Sequence, residues 1–433
     1  MNFYIGIDFG TSGARLVITD PKGNIHQEVE SPFQESSSPD ELPVIWKTTL
    51  FDLIAKIPLE LRRQTEAIAI DGTSATTLLC DRQGKPITSP LLYNDGRGVE
   101  IMEKLKAIAP ENHPVVSATS SLAKLLWWQH HHGEINTQSQ PLYFLHQADW
   151  LGFLLHGKLG ISDYHNTLKL GYDVAHLHYP RWLTNEINRE SNPLKLQLPE
   201  VLAPGTPIGE ITSEIAEQLN LPKHCVVCAG TTDSIAAFLA SGAISPGEAV
   251  TSLGSTLVLK LLSDTPVNDA RYGIYSHRLG NLWLTGGASN TGGAVLREFF
   301  SDRELETLSS QINPNINSPL DYYPLLKKGD RFPINDPELP PRLEPRPDNT
   351  VEFLHGLLES IARIEARGYQ RLQELGATPL SQVYTAGGGA KNPVWTTIRG
   401  RYLRVPMVKP IHIAAAYGAA RLAHGVEKSE VRS

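Results

Sequence analysis

Apolar and polar positions along the first thirty residues fall into three short bursts. "FYIGID" (3–8), "ARLVIT" (14–19) and "IHQEVE" (25–30) each have the length of a strand. The turns between them are a glycine- and hydroxyl-rich loop within "DFGTSGAR" and a Pro-Lys-Gly-Asn turn. Strand, turn, strand at this spacing predicts a β-meander. A polar loop over 31–42 follows, then a helix over 46–63 and a buried strand, "AIAID" (67–71). "TTLLCD" with the Gln-Gly-Lys turn predicts a hairpin. Residues 97–110 and 117–133 read as helices, and "HCVVCAGTTDSIAAFLASG" (224–242) as strand, turn and helix.

Near 249 the pattern starts again. "EAVTSLGSTLVLKLLSD" repeats the order apolar run, glycine, two hydroxyls, apolar run of "YIGIDFGTSGARLVITD", with Gly254 in the place of Gly10. This reads as a diverged internal duplication, one copy per domain; a chance likeness of two β-turns is the plainer alternative. A proline-rich stretch covers 311–349, too long for an idle connection. A helix over 350–375 follows. "VYTAGGGAKNPVWTTIRG" (383–400) gives strand, glycine loop and helix, with Asn392 as N-cap and Pro393 at the first helical position. "IAAAYGAARLAHG" predicts a closing helix of small residues, able to pass close to a neighbouring backbone or simply to pack.

Length and composition narrow the class. A chain of 433 residues suits two domains. With 41% hydrophobic and 20% charged residues it reads as soluble, and a net charge of −7 argues against a nucleic-acid surface or an anionic membrane. No apolar run nears the roughly 20 residues that span a bilayer, and strand-like sequence from Phe3 leaves no room for a signal peptide. Three cysteines make no disulfide framework. "KHCVVCAG" is a lone C-x-x-C, read as small buried residues rather than a redox or zinc half-site, and a reducing cytoplasmic setting is expected. "HHH" (130–132) reads as a helix end, since three adjacent histidines cannot face one metal.

The candidate chemistry lies in the turns. Glycines let a backbone come close to phosphate, and turn N–H groups can point at its oxygens. The first loop has no Walker lysine and leads into a strand, which argues against a P-loop; good hairpin chemistry is the bland reading. Asp8 beside such a loop would repel phosphate unless Mg²⁺ sat between them, and Mg²⁺ keeps most of its waters. Asp233 opens a helix after Gly-Thr-Thr. It is either a helix-start acid or the carboxylate that accepts an alcohol proton in phosphoryl transfer. Asn94, Asp95 and Arg97 in "LLYNDGRG" could hydrogen-bond a polyol or form a solvated turn. "GGG" (387–389) suits a flat base lying on backbone.

Taken in order, "DFGTSGAR", "LLYNDGR", "GTTDSIAAFLASG", "SLGSTLVLK", "GGASNTGG", "AGGGAKNPVW" and "AAAYGAARLA" resemble the FGGY carbohydrate kinases of the actin/hexokinase/Hsp70-like ATPase superfamily, over essentially the whole chain. The resemblance implies an α/β protein with two ribonuclease-H-like domains and a cleft between them. Residues 1–240 would carry the sugar site and first phosphate hairpin, residues 241–412 the nucleotide site, and the 413–433 helix could return to the first domain. It implies ATP and Mg²⁺ as cofactors and a small sugar as partner, with no nucleic acid or membrane. Asp233 matches the catalytic base, with Asp8 acting on Mg²⁺ through water and also lying near the sugar. Gly10, Thr11, Ser12, Gly13 and Arg15, with Gly254, Ser255 and Thr256, match the phosphate clasp. Asn290, Gly293, Gly387, Gly388, Gly389 and Asn392 match the nucleotide contacts. Ser74, Asn94, Asp95 and Arg97 match the sugar contacts.

The chain also departs from the family pattern. It is shorter than many members, has Tyr93 where tryptophan is common, and lacks the glutamine and Met-His-Gly often found in the segment "DGTSATTLLCD". In this it resembles the short cyanobacterial and plant group that is xylulose-kinase-like but acts on D-ribulose. The expected reaction is phosphorylation of a ketopentose, D-ribulose first, with D-xylulose or another polyol as alternative. An actin- or Hsp70-like ATPase switch is the alternative from another class. The 311–349 stretch and the closing helix are candidates for lid and hinge.

Overall fold

The computed structural model describes residues 2–33, 38–131, 133, 135, 141–192 and 194–430. The chain forms two compact units, Met1–Ala240 with Ala414–Ser433, and Ser241–Ile413.

In the first unit β1 (Phe3–Phe9), β2 (Gly13–Thr19) and β3 (Ile25–Pro32) form the antiparallel meander, and β4 (Thr65–Gly72) runs parallel to β1. Smaller strands follow. β5 (Thr77–Cys80), β6 (Leu142–His146) and β8 (Leu196–Gln197) form one sheet, and β7 (Ile161–Asp163) with β9 (Glu200–Leu202) another. β10 (Pro207–Glu210) and β11 (Val226–Cys228) complete the main sheet, in the order β10-β11-β4-β1-β2-β3. The short β12 (Thr231–Thr232) continues beside β4.

β1 is buried on both faces, as a strand covered by helices on each side must be. Phe3, Ile5, Ile7 and Phe9 share a core with Trp46, Leu50 and Leu53 and with Trp150 and Leu151. On the other face lies the closing helix Ala415–Glu430, which packs so closely that a Cβ on Gly6 would sit 2.0 Å from the Ala416 carbonyl oxygen. A Cβ on Gly418 would sit 1.8 Å from the Ala236 carbonyl oxygen. Small residues therefore seat this helix backbone against backbone on β1 and on the helix Asp233–Ala240.

The second unit contains β13 (Glu248–Leu253), β14 (Leu257–Ser263), β15 (His277–Leu279), β16 (Leu282–Ser289), β17 (Gln382–Ala386) and β18 (Met407–Val408). Its path β16-β14-β13-β17-β18 repeats β3-β2-β1-β4-β11, with the same parallel and antiparallel pairs. Five strands matching in order and direction decide for duplication over a chance likeness of turns. Each unit has the ribonuclease-H-like order, in a mixed α/β chain.

Three local expectations change. The helix expected over 46–63 is two, Leu42–Ala55 and Leu59–Arg62, because Pro58 adopts an extended conformation between them. The 97–110 stretch is a 3₁₀ turn, Arg97–Ile101, and a helix, Met102–Ile108. The 117–133 helix is Ser121–His130, started late because the Ser120 hydroxyl accepts from the Ala123 N–H. Residues 34–37 of the polar loop, and His132, lie outside the described residues.

The 311–349 stretch is not free to act as a lid. Ile312, Tyr322, Tyr323, Leu325 and Phe332 are part of the second unit's core. Asp330, 3% exposed, pins the stretch to the end of β16 by accepting from the Ser289 hydroxyl (2.6 Å), the Asn290 N–H (2.9 Å) and the Tyr323 hydroxyl (2.7 Å). The same core contains a fully buried ion pair. Arg399, on the helix Pro393–Leu403, gives two hydrogen bonds to Glu365 on the helix Thr350–Glu374 (2.6 and 2.7 Å). Glu365 in turn accepts from Thr251 of β13 (2.6 Å).

All three cysteines are free and buried. Burial pushes the thiol of Cys228 up to about 12 and raises those of Cys80 and Cys225, so none offers a thiolate for redox or metal chemistry. No helix among the described residues is long and apolar enough to cross a membrane.

Candidate active site

Three acids meet where the central strands of the first unit end. Asp8 of β1 is in register with Asp71 of β4, and Asp71 with Thr231 of β12. Asp233 follows directly as the first residue of its helix. The register brings Asp8, Asp71 and the start of that helix to one edge. On its other side Asp8 is in register with Arg15 of β2.

Burial makes this cluster costly. Asp71 is 0% exposed, while Asp8 and Asp233 are half-buried. Among the described residues no nitrogen or hydroxyl donor reaches Asp8 Oδ1 or either carboxylate oxygen of Asp71. Desolvation raises the pKa of Asp71 well above the ordinary carboxylate value, and the charges of Asp8 and Asp233 add to it. Desolvation also raises Asp8; a hydrogen bond from Asp71 and the charge of Arg15 oppose this, while Asp233 adds to it. Burial and mutual repulsion thus disfavour ionisation of both carboxyls, and the oxygens that no nitrogen or hydroxyl reaches form an electronegative seat. Oxygen donors with no protein partner suit a hard divalent cation, so the residues fit Mg²⁺.

The loop before β2 leaves Thr11 and Ser12 exposed, closed by a hydrogen bond from Gly10 N–H to the Gly13 carbonyl (3.0 Å). Gly13 has a local reason to be glycine, since a Cβ there would sit 2.8 Å from the Ser31 carbonyl oxygen. Arg15 pairs with Glu30 across β2 and β3.

The candidate sugar residues lie on two loops of this unit. Half-buried Ser74 follows β4. Asn94 is exposed, and the Arg97 guanidinium is held by Asp95 (2.9 Å) while lying 4.7 Å from the Trp127 ring centroid. Lys124, which sequence reading passed over, joins the two loops. It is 0% exposed, and its amine donates to the carbonyls of Ala75 and Leu92, each at 2.6 Å. Burial pushes its pKa from 10.5 down to about 7, with Lys169 and Arg97 adding to the effect and Asp95 opposing it. Asp71 was expected only within "DGTS" (71–74) beside the sugar cluster, without its pairing to Asp8. Both look ordinary locally, an acid in a strand and a lysine in a helix.

In the second unit Ser255 and Thr256 are exposed on the turn between β13 and β14. The carbonyls of Gly254 and Ser255 accept from the N–H groups of Gly293 (2.8 Å) and Ala294 (3.0 Å), so turn and helix start are joined. The Asn290 side chain donates to the Gly329 carbonyl (2.8 Å). The three glycines of 387–389 differ. Gly387 has φ +83° and lies against the Leu253 carbonyl, and Gly389 lies against Trp395 and Leu253. Around Gly388 a Cβ would meet nothing within 4 Å, so protein packing gives no reason for glycine there. Asn392 caps its helix by accepting from the Trp395 N–H (3.0 Å) and donates to the Ser309 hydroxyl (2.8 Å), which occupies its amide.

A groove of about 970 Å³ lined by Phe51, Phe153, Trp150, Lys47 and Lys85 lies elsewhere on the first unit. It contains none of the acids, so the site is placed by its chemistry and not by that hollow.

Residues 3–240 match the FGGY family of carbohydrate kinases, N-terminal domain, and residues 249–424 its C-terminal domain. The chain is 22% identical over 445 residues to a xylulose kinase of Staphylococcus xylosus, covering 98% of this chain and 90% of that one. To an autoinducer-2 kinase of Yersinia enterocolitica it is 26% identical over 470 residues, covering 98% and 86%. Among solved structures it resembles a xylulose kinase from Bifidobacterium adolescentis (TM-score 0.81, 21% identity, covering 100% and 94%). It also resembles a Plasmodium falciparum glycerol kinase solved with ADP (TM-score 0.80, 18% identity, covering 100% and 91%).

Proposed function

The chain belongs to the FGGY family of carbohydrate kinases, ATP-dependent sugar phosphotransferases, and from this premise we propose that it moves the γ-phosphoryl group of ATP to a primary hydroxyl of a ketopentose, with D-ribulose the preferred acceptor. The observation that supports the site is the acid pair Asp8–Asp71 beside Asp233: Asp8 Oδ1 and both Asp71 oxygens are buried with no nitrogen or hydroxyl donor among the described residues. In this reading Asp233, which keeps solvent access while Asp71 is sealed, takes the proton from the attacking hydroxyl. Ser74, Asn94, Asp95 and Arg97, with Asp8 nearby, orient the sugar on the first unit. Arg97 is restrained by Asp95 and Trp127, which limits the entropy lost on binding. Asp8, through water, and Asp71 would hold Mg²⁺, which when bound would neutralise charge on the phosphates.

The loop Gly10–Gly13 with Arg15, and the turn Gly254–Thr256, offer hydroxyls and backbone N–H groups to those phosphates. Asn290, Gly293, Gly387, Gly388, Gly389 and Asn392 shape the nucleotide site on the second unit. Open backbone at Gly388 supports a ring lying there. Asn392 contributes by its cap, since its amide is already bonded. Positioning and electrostatics account for the catalysis, as phosphoryl transfer asks little covalent chemistry of the protein.

D-Xylulose is the second reading, favoured by the relatives named xylulose kinases. ADP release measured over D-ribulose, D-xylulose, L-ribulose, glycerol and gluconate tests both. The highest kcat/KM is expected with D-ribulose. A higher value with D-xylulose overturns the finer assignment, and no stimulation by any acceptor overturns the ketopentose reading.

A further inference from the structure

The first unit has a second cluster of metal-binding side chains, separate from the acids. Asp173, His176 and His178 lie in "GYDVAHLHYP" (171–180), and one donor atom from each falls within 4.8 Å of the others. All three are reachable by solvent: His176 and His178 are exposed and Asp173 is half-buried.

The loop is shaped so that both histidines return to the same carboxylate. The Asp173 N–H donates to the His178 carbonyl (3.0 Å), and the Leu177 N–H donates to the Asp173 carbonyl (2.7 Å). Asp173 Oδ1 accepts from the N–H groups of Ala175 (2.9 Å) and His176 (3.0 Å), and Oδ2 contacts His176 Nδ1 (2.8 Å). Leu177 is left-handed, with φ +56°, and 47% exposed. That is an unfavourable state for a branched side chain. Its effect is to bring the His178 ring to 6.0 Å from the His176 ring. A single surface ion pair would need only one histidine. Nearby His113 is not part of the set, because its Nδ1 accepts from the Val115 N–H and its ring lies against Trp182.

We propose that Asp173, His176 and His178 form a binding site for a divalent transition-metal ion of the zinc class. Two imidazole nitrogens and one carboxylate oxygen suit borderline ions such as Zn²⁺, Co²⁺ or Ni²⁺, whereas Mg²⁺ and Ca²⁺ prefer all-oxygen sets. In a tetrahedral site with bonds of about 2.0–2.1 Å the donors stand roughly 3.3 Å apart, so closure needs side-chain rotations of about an ångström. Three protein donors leave the fourth position to water. The site rests on these side chains alone and is independent of the sugar assignment.

The full chain, treated with chelator and free of nucleotide, is titrated with ZnCl₂ by calorimetry, and separately with CoCl₂ by visible absorption. One site of micromolar affinity is expected, with Co²⁺ bands of low coordination number, undiminished by millimolar Mg²⁺. His178→Gln weakens it by about tenfold or more, and His176→Ala/His178→Ala abolishes it. A His130→Gln/His131→Gln variant keeps it. No zinc binding at about 100 μM, or binding retained in the His176/His178 double variant, overturns the proposal. Because His176 and His178 are exposed and His131 is only half-buried, unchanged melting of the variants is the check on folding.

Discussion

Asp8 and Asp71 stand in register on neighbouring parallel strands, and the deeper of the two is sealed from solvent with no nitrogen or hydroxyl donor to either oxygen among the described residues. Two carboxyls so placed do not both ionise unless a cation joins them.

Asp71→Asn is therefore expected to divide activity from stability. The concentration of Mg²⁺ giving half-maximal rate should rise by roughly tenfold or more, and kcat should fall. The metal-free protein should melt higher. A carboxyl with raised folded pKa binds its proton more tightly when folded, so stability falls as pH rises above the unfolded value of 3.8, and asparagine removes that loss. Calorimetric melting at pH 5 and pH 8 measures this: the variant's advantage should grow with pH. Equal Mg²⁺ titrations for variant and parent would remove Asp71 from the site.

Asp233→Ala should lower kcat by roughly 10²–10⁴ while leaving nucleotide affinity nearly unchanged, as expected for loss of a general base. Fluorescent nucleotide titration and single-turnover kinetics separate the two quantities. Turnover near that of the parent in the folded variant excludes the role.

Lys124→Met should raise KM for the sugar more than it lowers kcat, because the amine ties the backbone after Ser74 to the backbone before Asn94. The pH dependence gives a second check. The folded pKa is about 7 and the unfolded one near 10.5, so between these values the unfolded chain binds more protons. Lys124 thus disfavours the fold most below about pH 7, and the disadvantage fades as pH rises towards 10.5. Urea unfolding of parent and variant at pH 6.5 and 9 should show the parent gaining on the variant at the higher pH; a constant difference contradicts the assigned titration.

Arg399→Met leaves Glu365 buried without its partner. A destabilisation of about 3–5 kcal/mol is expected, most of it recovered in the Arg399→Met/Glu365→Leu double variant. Chemical denaturation of the single and double variants measures the coupling, and independent, additive losses would show that the pair is not a unit.

What could be read in advance had its cause within a few residues. Asn392 and Pro393 announce their helix, and the hydroxyl turns announce β1–β2 and β13–β14. The repeated strand order was signalled only by those turns, because the remaining strands are short apolar runs with no individual mark. The place of Asp233 at a helix start was legible from the Gly-Thr-Thr before it. Asp71 and Lys124 were not, because what distinguishes them is a partner distant in sequence: Lys124 meets carbonyls 49 and 32 positions away. The 311–349 stretch was misread as a lid for a similar reason. Its prolines are local and visible, while the contacts that fix it, Asp330 to Ser289 and Tyr322 to the Ser360 hydroxyl, are not.

The seating of the 415–430 helix on Gly6 has a consequence for how the protein is made. On the ribosome β1 emerges early, but the surface that covers one of its faces is translated only after residues 241–413. At roughly 5–20 residues per second that wait is on the order of ten to thirty seconds. Throughout it the nascent first unit exposes Tyr4, Ala67 and Ala69, the residues that Ala423 later covers. The second unit is one contiguous stretch, Ser241–Ile413, so the part of the chain made first is the part completed last.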